Sequence, residues 1–164
     1  MTETGARSDL LDGLAASIPY IRFLGLVFER RGDEITALMP YRPDLIGNPL
    51  LPALHGGATG AFLEITGLMQ LVSDAALRDM AAAGGALPEG YVPAMPKPID
   101  ITFDYLRSGK PLDTYARAVV QRRGRRVANV RIEAWQEERA KLIAAAHGNF
   151  LLDGDPHPPD DGAA

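Results

Sequence analysis

Residues 54–73 read LHGGATGAFLEITGLMQLVS, a largely apolar stretch with a histidine and two glycines near its start. Its pattern predicts one long helix from Gly56 to about Met80. Between Gly56 and Ser73 the only formally charged residue is Glu64. An ionised carboxylate in apolar surroundings is costly unless it is paired or has a chemical task. Glu64 is therefore the first candidate for a functional residue.

Strand-like patterns lie on both sides of this helix. Before it, residues 24–30 and 34–39 predict a hairpin with a tight turn between them. A short helix precedes the hairpin, with Ser8 as its cap and Pro19 at its end. After the long helix, residues 81–98 are rich in Ala, Gly and Pro and predict a loop. The strands predicted beyond that loop cover residues 99–107, 113–123, 126–137 and 141–152, of which the last is the weakest because it is rich in alanine.

The order of these elements defines the predicted fold class. A helix without a polar face must be covered nearly all round, and a strongly curved antiparallel sheet wrapped around it provides that cover. We therefore predict an α+β protein with five to six antiparallel strands around one central helix, in a single domain at residues 1–152. Residues 153–164 are acidic and proline-rich, and they are predicted to be disordered.

The composition argues against several classes of protein. The chain has 164 residues, with 17 Lys and Arg against 21 Asp and Glu, and this balance argues against nucleic-acid binding. It has no cysteine, and its three histidines lie in unrelated segments, so no metal-ligand pattern is present. No apolar run reaches the roughly 18 residues of a membrane span, and the N-terminus lacks a signal-peptide pattern. We therefore expect a cytoplasmic protein that binds no metal, membrane or nucleic acid.

A stripe of small residues runs along the predicted helix on either side of Glu64. Gly57, Gly60, Glu64, Gly67 and Leu71 follow one another at steps of three and four, so they share one face. We expect this stripe to leave open space beside the carboxylate, with Gly60 and Gly67 lining a groove for substrate. The alternative is that the glycines let a sheet or a partner helix approach closely.

The start of the helix offers backbone hydrogen-bond donors. The N–H groups of Gly56 and Gly57 have no partner within the helix, and they lie at the positive end of its dipole. Donors of this kind stabilise a developing oxyanion, and the missing side chains let a carbonyl approach. We count His55 with Glu64, Gly56 and Gly57 in the predicted catalytic site, where it orients the preceding loop and Glu64 acts as the base. The alternative is that His55 merely caps the helix or bonds that loop.

These residues resemble a known family. The block His55-Gly56-Gly57, with an acid nine positions after the histidine, is similar to the hotdog-fold acyl-CoA thioesterases of the phenylacetate-pathway and 4-hydroxybenzoyl-CoA type. The similarity extends to the region of Pro19 and Gly25 and to the predicted strand that begins at Ile99, so it covers roughly residues 19–152.

The resemblance implies a mechanism and an assembly. Glu64 corresponds to the catalytic carboxylate, as general base or as nucleophile, and the N–H of Gly56 polarises the thioester carbonyl. The substrate implied is an acyl-CoA, with no cofactor beyond the coenzyme A that it carries. The assembly implied is a homodimer with active sites at the subunit interface, often doubled to a tetramer.

The chain departs from the family pattern at two positions. Members commonly carry Asn or Gln six positions before the histidine to place the attacking water, where this chain has Pro49. The neighbouring Asn48 is the candidate substitute. A hydroxyl is common one turn after the acid, where this chain has Leu68.

A basic cluster, RRGRR at residues 122–126, lies at a predicted hairpin tip. We predict that Arg125 and Arg126 bind the phosphates of coenzyme A, because guanidinium groups match phosphate geometry. The alternative is an ordinary solvated surface.

Two other functions remain open on the sequence alone. One is a hotdog dehydratase or hydratase, which also uses a histidine and an acid near the central helix. The other is a non-catalytic acyl-CoA-binding protein, which the missing side chain at Pro49 favours.

Overall fold

The computed structural model describes residues 3–31 and 34–152. The tight turn was predicted at residues 31–33; Arg31 is the last residue of a strand, while residues 32–33 and the acidic tail at residues 153–164 lie outside the described residues. Three α-helices form in the described part of the chain: α1 (Glu3–Ser17), α2 (Pro19–Leu24) and α3 (Gly56–Ala82).

The N-terminal prediction is partly wrong. Helix α1 begins before Ser8, so Ser8 lies inside the helix instead of capping it. Pro19 does mark a break after α1, but it occupies the first turn of a second helix, α2. Proline is favoured at that position because its missing N–H has no helical partner there and its fixed φ suits the helix.

The strands are β1 (Val27–Arg31), β2 (Glu34–Met39), β3 (Ile46–Asn48), β4 (Ala53–Leu54), β5 (Lys97–Tyr105), β6 (Thr114–Arg123), β7 (Val127–Trp135) and β8 (Leu142–Leu151). Six of them form one antiparallel sheet in the order β1-β2-β6-β7-β8-β5, while β3 and β4 form a separate pair. The predicted hairpin and the four strands after the long helix are confirmed, including the alanine-rich β8. Strand β5 lies at an edge of the sheet, since within the described chain only β8 pairs with it.

Helix α3 packs its apolar residues against this sheet. Phe62 and Leu63 are fully buried in the same core as Ile132 and Phe150. At Gly67 a Cβ atom would lie 3.2 Å from the Ile132 side chain and 3.3 Å from the Phe150 ring, so the glycine lets the helix and the sheet come close. The predicted α+β architecture, one long helix against a six-stranded antiparallel sheet, is confirmed.

None of the helices within residues 3–31 and 34–152 is long and apolar enough to cross a membrane.

Candidate active site

The chain enters α3 through a tightly held segment. The N–H of His55 donates to the carbonyl of Leu45 at 2.7 Å, and the N–H of Leu54 donates to that of Gly109 at 2.9 Å. A Cβ at Gly47 would lie 2.7 Å from the Cα of His55, so only glycine permits this approach. The position of His55 is therefore fixed by backbone contacts on two sides.

His55 is the N-cap of α3. Its backbone is extended, with φ −65° and ψ 127°, and its Nδ1 accepts a hydrogen bond from the N–H of Gly57 at 2.9 Å. This is the capping role that the sequence left as one of two alternatives. Because Nδ1 is the acceptor, the neutral ring carries its proton on Nε2.

The cap corrects the prediction of two oxyanion donors. The N–H of Gly57 is already used by His55, so it is not available to a substrate oxygen. The N–H of Gly56 has no acceptor in the described part of the chain. Of the two predicted donors, only the N–H of Gly56 therefore remains free.

Tyr105 holds the first turn of α3 from the other side. Its hydroxyl donates to the carbonyl of Gly56 at 2.8 Å, and its ring lies 3.4 to 3.5 Å from where a Gly56 Cβ would be. Tyr105 was not among the site residues predicted from the sequence. Its alternation with Ile101 and Phe103 along β5 was the available signal, since these residues point to the same face as one another.

A cleft of about 530 Å³ opens beside this first turn. We call it the Gly56 cleft. Its lining includes Gly56, Thr59, Tyr105, Arg107, Ser108 and Ile143. Glu64 does not line it.

Glu64 lies on a half-exposed face of α3. It is partly buried, and neighbouring positions on the same face, Ala61 and Leu68, are partly buried too. Glu64 forms no hydrogen bond or ion pair with any described residue. The hydroxyl of Thr66, two residues on, donates to the carbonyl of Phe62 at 2.7 Å and is buried, so it does not support the carboxylate.

The glycine stripe does not create the open space that the sequence predicted. A Cβ at Gly60 would lie 3.3 Å from the Tyr105 hydroxyl and 3.7 Å from the Phe103 ring, and Gly67 is covered by side chains of the sheet. Both glycines are buried. They allow close packing of α3 against the sheet, which was the alternative interpretation, and among the described residues they leave no open space for the predicted groove.

Asn48 holds the turn that leads to the site. Its Oδ1 accepts from the N–H of Leu50 at 3.0 Å and from that of Leu51 at 3.3 Å. Leu50 and Leu51 are 91% and 71% exposed, so this turn projects from the surface of the chain. The side-chain oxygen of Asn48 is therefore engaged locally, and its amide NH₂ group is the part left to contact a water.

Some arginines of the cluster at residues 122–126 are exposed on the surface, and one lines a cavity. Arg125 and Arg126 are exposed in the turn between β6 and β7, and neither forms an ion pair with a described residue. Arg123 is half-buried and lines a second cavity, together with Arg78 of α3. The sequence alone did not connect Arg78 with this cluster, because Arg78 and Arg123 are 45 positions apart.

Comparison with known proteins identifies the class to which this fold and this glycine-rich helix start belong. The sequence pattern of the Thioesterase superfamily matches residues 51–143, so the chain belongs to that superfamily. It is a thioester hydrolase with the hotdog fold.

Particular relatives are similar over most of the chain. The medium/long-chain acyl-CoA thioesterase YigI of Escherichia coli is 28% identical over 136 residues, which are 82% of this chain and 86% of YigI. A solved structure from Chromobacterium violaceum is 29% identical, with a TM-score of 0.62 over 91% of this chain and 97% of that one. The E. coli PaaI protein from the phenylacetic acid degradation operon has the same fold, with a TM-score of 0.71 at 15% identity over 93% of this chain and 97% of PaaI.

Proposed function

We propose that this protein hydrolyses acyl-CoA thioesters to a free acid and coenzyme A. One observation carries the proposal: α3 begins with a free N–H donor at Gly56 and bears the unpartnered carboxylate of Glu64 on a half-exposed face. The similarity to YigI makes medium- and long-chain acyl-CoA thioesters the first substrates to test. The reaction consumes water and needs no cofactor.

In the proposed reaction, the N–H of Gly56 donates to the thioester oxygen and stabilises the negative charge that develops there. Glu64 either takes a proton from the attacking water or attacks the carbonyl carbon itself, giving a mixed anhydride that water then hydrolyses. In both routes the C–S bond breaks and coenzyme A leaves as its thiol after protonation. The NH₂ group of Asn48 is the candidate for holding the water.

Helix geometry argues that the two groups act in different sites. Glu64 is eight residues beyond Gly56, which is about 12 Å along the helix axis. A hydrogen bond to the oxygen plus an attack distance spans only roughly 6–7 Å. The N–H of Gly56 also points away from Glu64, toward the N-terminal end of the helix. A second copy with α3 antiparallel would bring the partner subunit's Glu64 to Gly56.

Strand β5 supplies an edge for such a homodimer. Its outer edge is unpaired within the described chain, and Ile99 and Tyr105 on it are 56% and 57% exposed. Antiparallel pairing of β5 with its own copy would cover this edge under two-fold symmetry. The half-exposed face at Ala61, Glu64 and Leu68 would then be covered by the partner's α3. Dimers of this kind would associate further into a dimer of dimers.

The exposed ends of the basic hairpin fit the same substrate. Arg125 and Arg126 are free of ion pairs within the described chain, in a protein of net charge −4. We assign to these two arginines the role of attracting the negatively charged nucleotide end of coenzyme A.

The proposal is tested first by removing each group. Glu64→Gln should lower hydrolysis of a decanoyl-CoA substrate at least about 100-fold, with the fold intact. Gly56→Pro removes the N–H while keeping a residue that is favoured at the first helical position, and the extended backbone of His55 accepts a following proline. Gly56→Ala is the matched control: it keeps the N–H, and its Cβ meets Tyr105 at an ordinary contact distance.

Mixing the two inactive variants tests the shared site. Differently tagged Glu64→Gln and Gly56→Pro chains, co-expressed and purified through both tags, should regain about half of the wild-type rate, because one of the two sites is then intact. No recovery would place both groups in one chain's site. Turnover of an enoyl-CoA by hydration, without hydrolysis of the saturated thioester, would favour the hydratase alternative.

A further inference from the structure

A second cavity, of about 190 Å³, lies near the C-terminal end of α3. We call it the Arg123 cavity. It is lined by residues of α3, of the loop after it, of β6 and by the residue that follows β8, including Leu71, Ala75, Arg78, Asp79, Arg123 and Leu152. Two cationic side chains from different elements therefore line the same cavity.

Arg123 is the unusual member of this cavity. Its Nη1 is buried and has no hydrogen-bond partner, although a guanidinium N–H is a strong donor. Burial lowers the pKa of Arg123 and the nearby charge of Arg78 lowers it further, while the charges of Asp74 and Asp79 offset part of this shift. A buried donor without an acceptor, next to a second positive charge, is unfavourable. A bound anion would remove both costs, because it accepts the hydrogen bond and neutralises the two charges.

Arg78 is also available to a ligand. Its Nε donates to the backbone carbonyl of Asp74 at 3.1 Å, and it forms no ion pair with a described residue. Two guanidinium groups, one of them half-buried, are thus left without a carboxylate partner at salt-bridge distance.

The nearby carboxylates are engaged with neutral partners. Asp79 also lines the cavity, and its Oδ2 accepts from the hydroxyl of Tyr91. Asp74 accepts from Nε2 of Gln70 at 2.9 Å. Asp79 would repel an anion, so the ligand must have enough charge and enough oxygens to contact both arginines, as a phosphate group has.

The cavity lies on the same side of α3 as the proposed catalytic acid. Leu71 and Arg78 follow Glu64 by seven and fourteen residues, so all three share one helix face. Arg78 is about 21 Å beyond Glu64 along the axis. Leu71 between them is fully buried, so this row of residues forms no open channel, and Glu64 and Arg78 are related by this distance alone.

We propose that the Arg123 cavity is a binding site for a phosphate group, held between the guanidinium groups of Arg78 and Arg123. The phosphate group could belong to the coenzyme A part of the substrate, and this part of the inference rests on the proposed function. The other source is free phosphate. Neither Arg78 nor the cavity was among the sites that the sequence indicated.

The first experiment compares two substrates with the same acyl group. Decanoyl-CoA carries the nucleotide phosphates, whereas decanoyl-pantetheine lacks them. Arg123→Gln and Arg78→Gln should each raise KM for decanoyl-CoA about ten-fold and leave kcat and KM for decanoyl-pantetheine unchanged. Arg22→Gln is the control, because it removes the same charge from an exposed position on α2 that lines neither cavity.

The second experiment titrates the full chain with inorganic phosphate and follows binding by calorimetry. The wild type should bind phosphate, and binding should weaken about ten-fold or more in Arg123→Gln but not in Arg22→Gln. Arg123→Lys keeps the charge without the fork and should bind at an intermediate level. Thermal unfolding of each variant confirms that the fold is retained.

The outcomes separate the two sources. A KM change confined to decanoyl-CoA identifies the substrate's phosphates. Loss of phosphate binding without any KM change supports the site and identifies free phosphate as its ligand. Equal changes with both substrates, or no effect in either experiment, would overturn the proposal. If the wild type hydrolyses no thioester, the proposed function fails, and the calorimetry still decides the phosphate site.

Discussion

The imidazole of His55 and the backbone N–H of Gly57 form a 2.9 Å hydrogen bond that closes the first turn of α3. The bond uses the second N–H of the helix and leaves the first, that of Gly56, free of acceptors among the described residues. His55 therefore acts on the site through the backbone: it determines which donor remains available and how the start of the helix is held.

His55→Ala should separate capping from chemistry. The loss of the cap is expected to lower the free energy of unfolding by about 1 kcal/mol, with a fall in Tm of about 2–4 °C. His55→Asn should recover most of that stability, since asparagine is a preferred N-cap residue. Urea unfolding measures the change in stability, and steady-state kinetics measure the change in activity. A His55→Asn protein as stable as the wild type but without activity would show that the imidazole itself takes part in the reaction.

Tyr105→Phe should affect rate more than substrate binding. The substitution removes the hydrogen bond to the Gly56 carbonyl while the ring remains against the helix. We expect kcat to fall roughly three- to ten-fold with KM nearly unchanged, and stability to fall by about 1 kcal/mol, because the first turn is held less firmly. Tyr20→Phe is the matched control, since the Tyr20 hydroxyl has no hydrogen-bond partner among the described residues. A rise in KM at constant kcat would mean that Tyr105 contacts the substrate directly.

Arg125→Ala combined with Arg126→Ala should give a salt-dependent effect. Both side chains are exposed, so their attraction for coenzyme A is screened by ions. We expect KM for decanoyl-CoA to rise about two- to three-fold at low ionic strength and the difference from wild type to disappear near 0.5 M salt, where the Debye length is roughly 4 Å. Decanoyl-pantetheine should show no change at either ionic strength. A rise that is independent of salt would contradict an electrostatic role for these two side chains.

Most of the fold was predictable because its signals are local. The apolar run after Gly56 and the alternation along the strands need no knowledge of distant residues, and both are confirmed. Helix α2 was missed because Pro19 was interpreted only as the end of a helix, although proline is equally favoured at the start of one.

The site was less predictable because its contacts join distant parts of the chain. Glu64 and Gly56 stand out in the sequence through charge and motif alone. The hydrogen bond from Tyr105 to Gly56 spans 49 residues, and the Arg123 cavity is built from α3, a loop, β6 and the residue that follows β8. Such contacts depend on register and on how the sheet curves, which the local pattern does not contain.

Two glycine-to-alanine substitutions should differ in their effect on the free energy of unfolding, because only one of the two glycines lies in the packed core. Gly13 lies in α1 with no atom within 4 Å of a Cβ, so Gly13→Ala should stabilise the protein by up to about 1 kcal/mol through helix propensity. Gly67→Ala gains the same propensity, but its Cβ would lie 3.2 Å from Ile132 and 3.3 Å from Phe150 in the core, where overpacking costs about 1–3 kcal/mol. We therefore expect Gly67→Ala to be neutral to about 2 kcal/mol less stable than the wild type in urea unfolding. Equal stabilisation by both substitutions would mean that the sheet yields at Gly67 and that close packing does not require a glycine there.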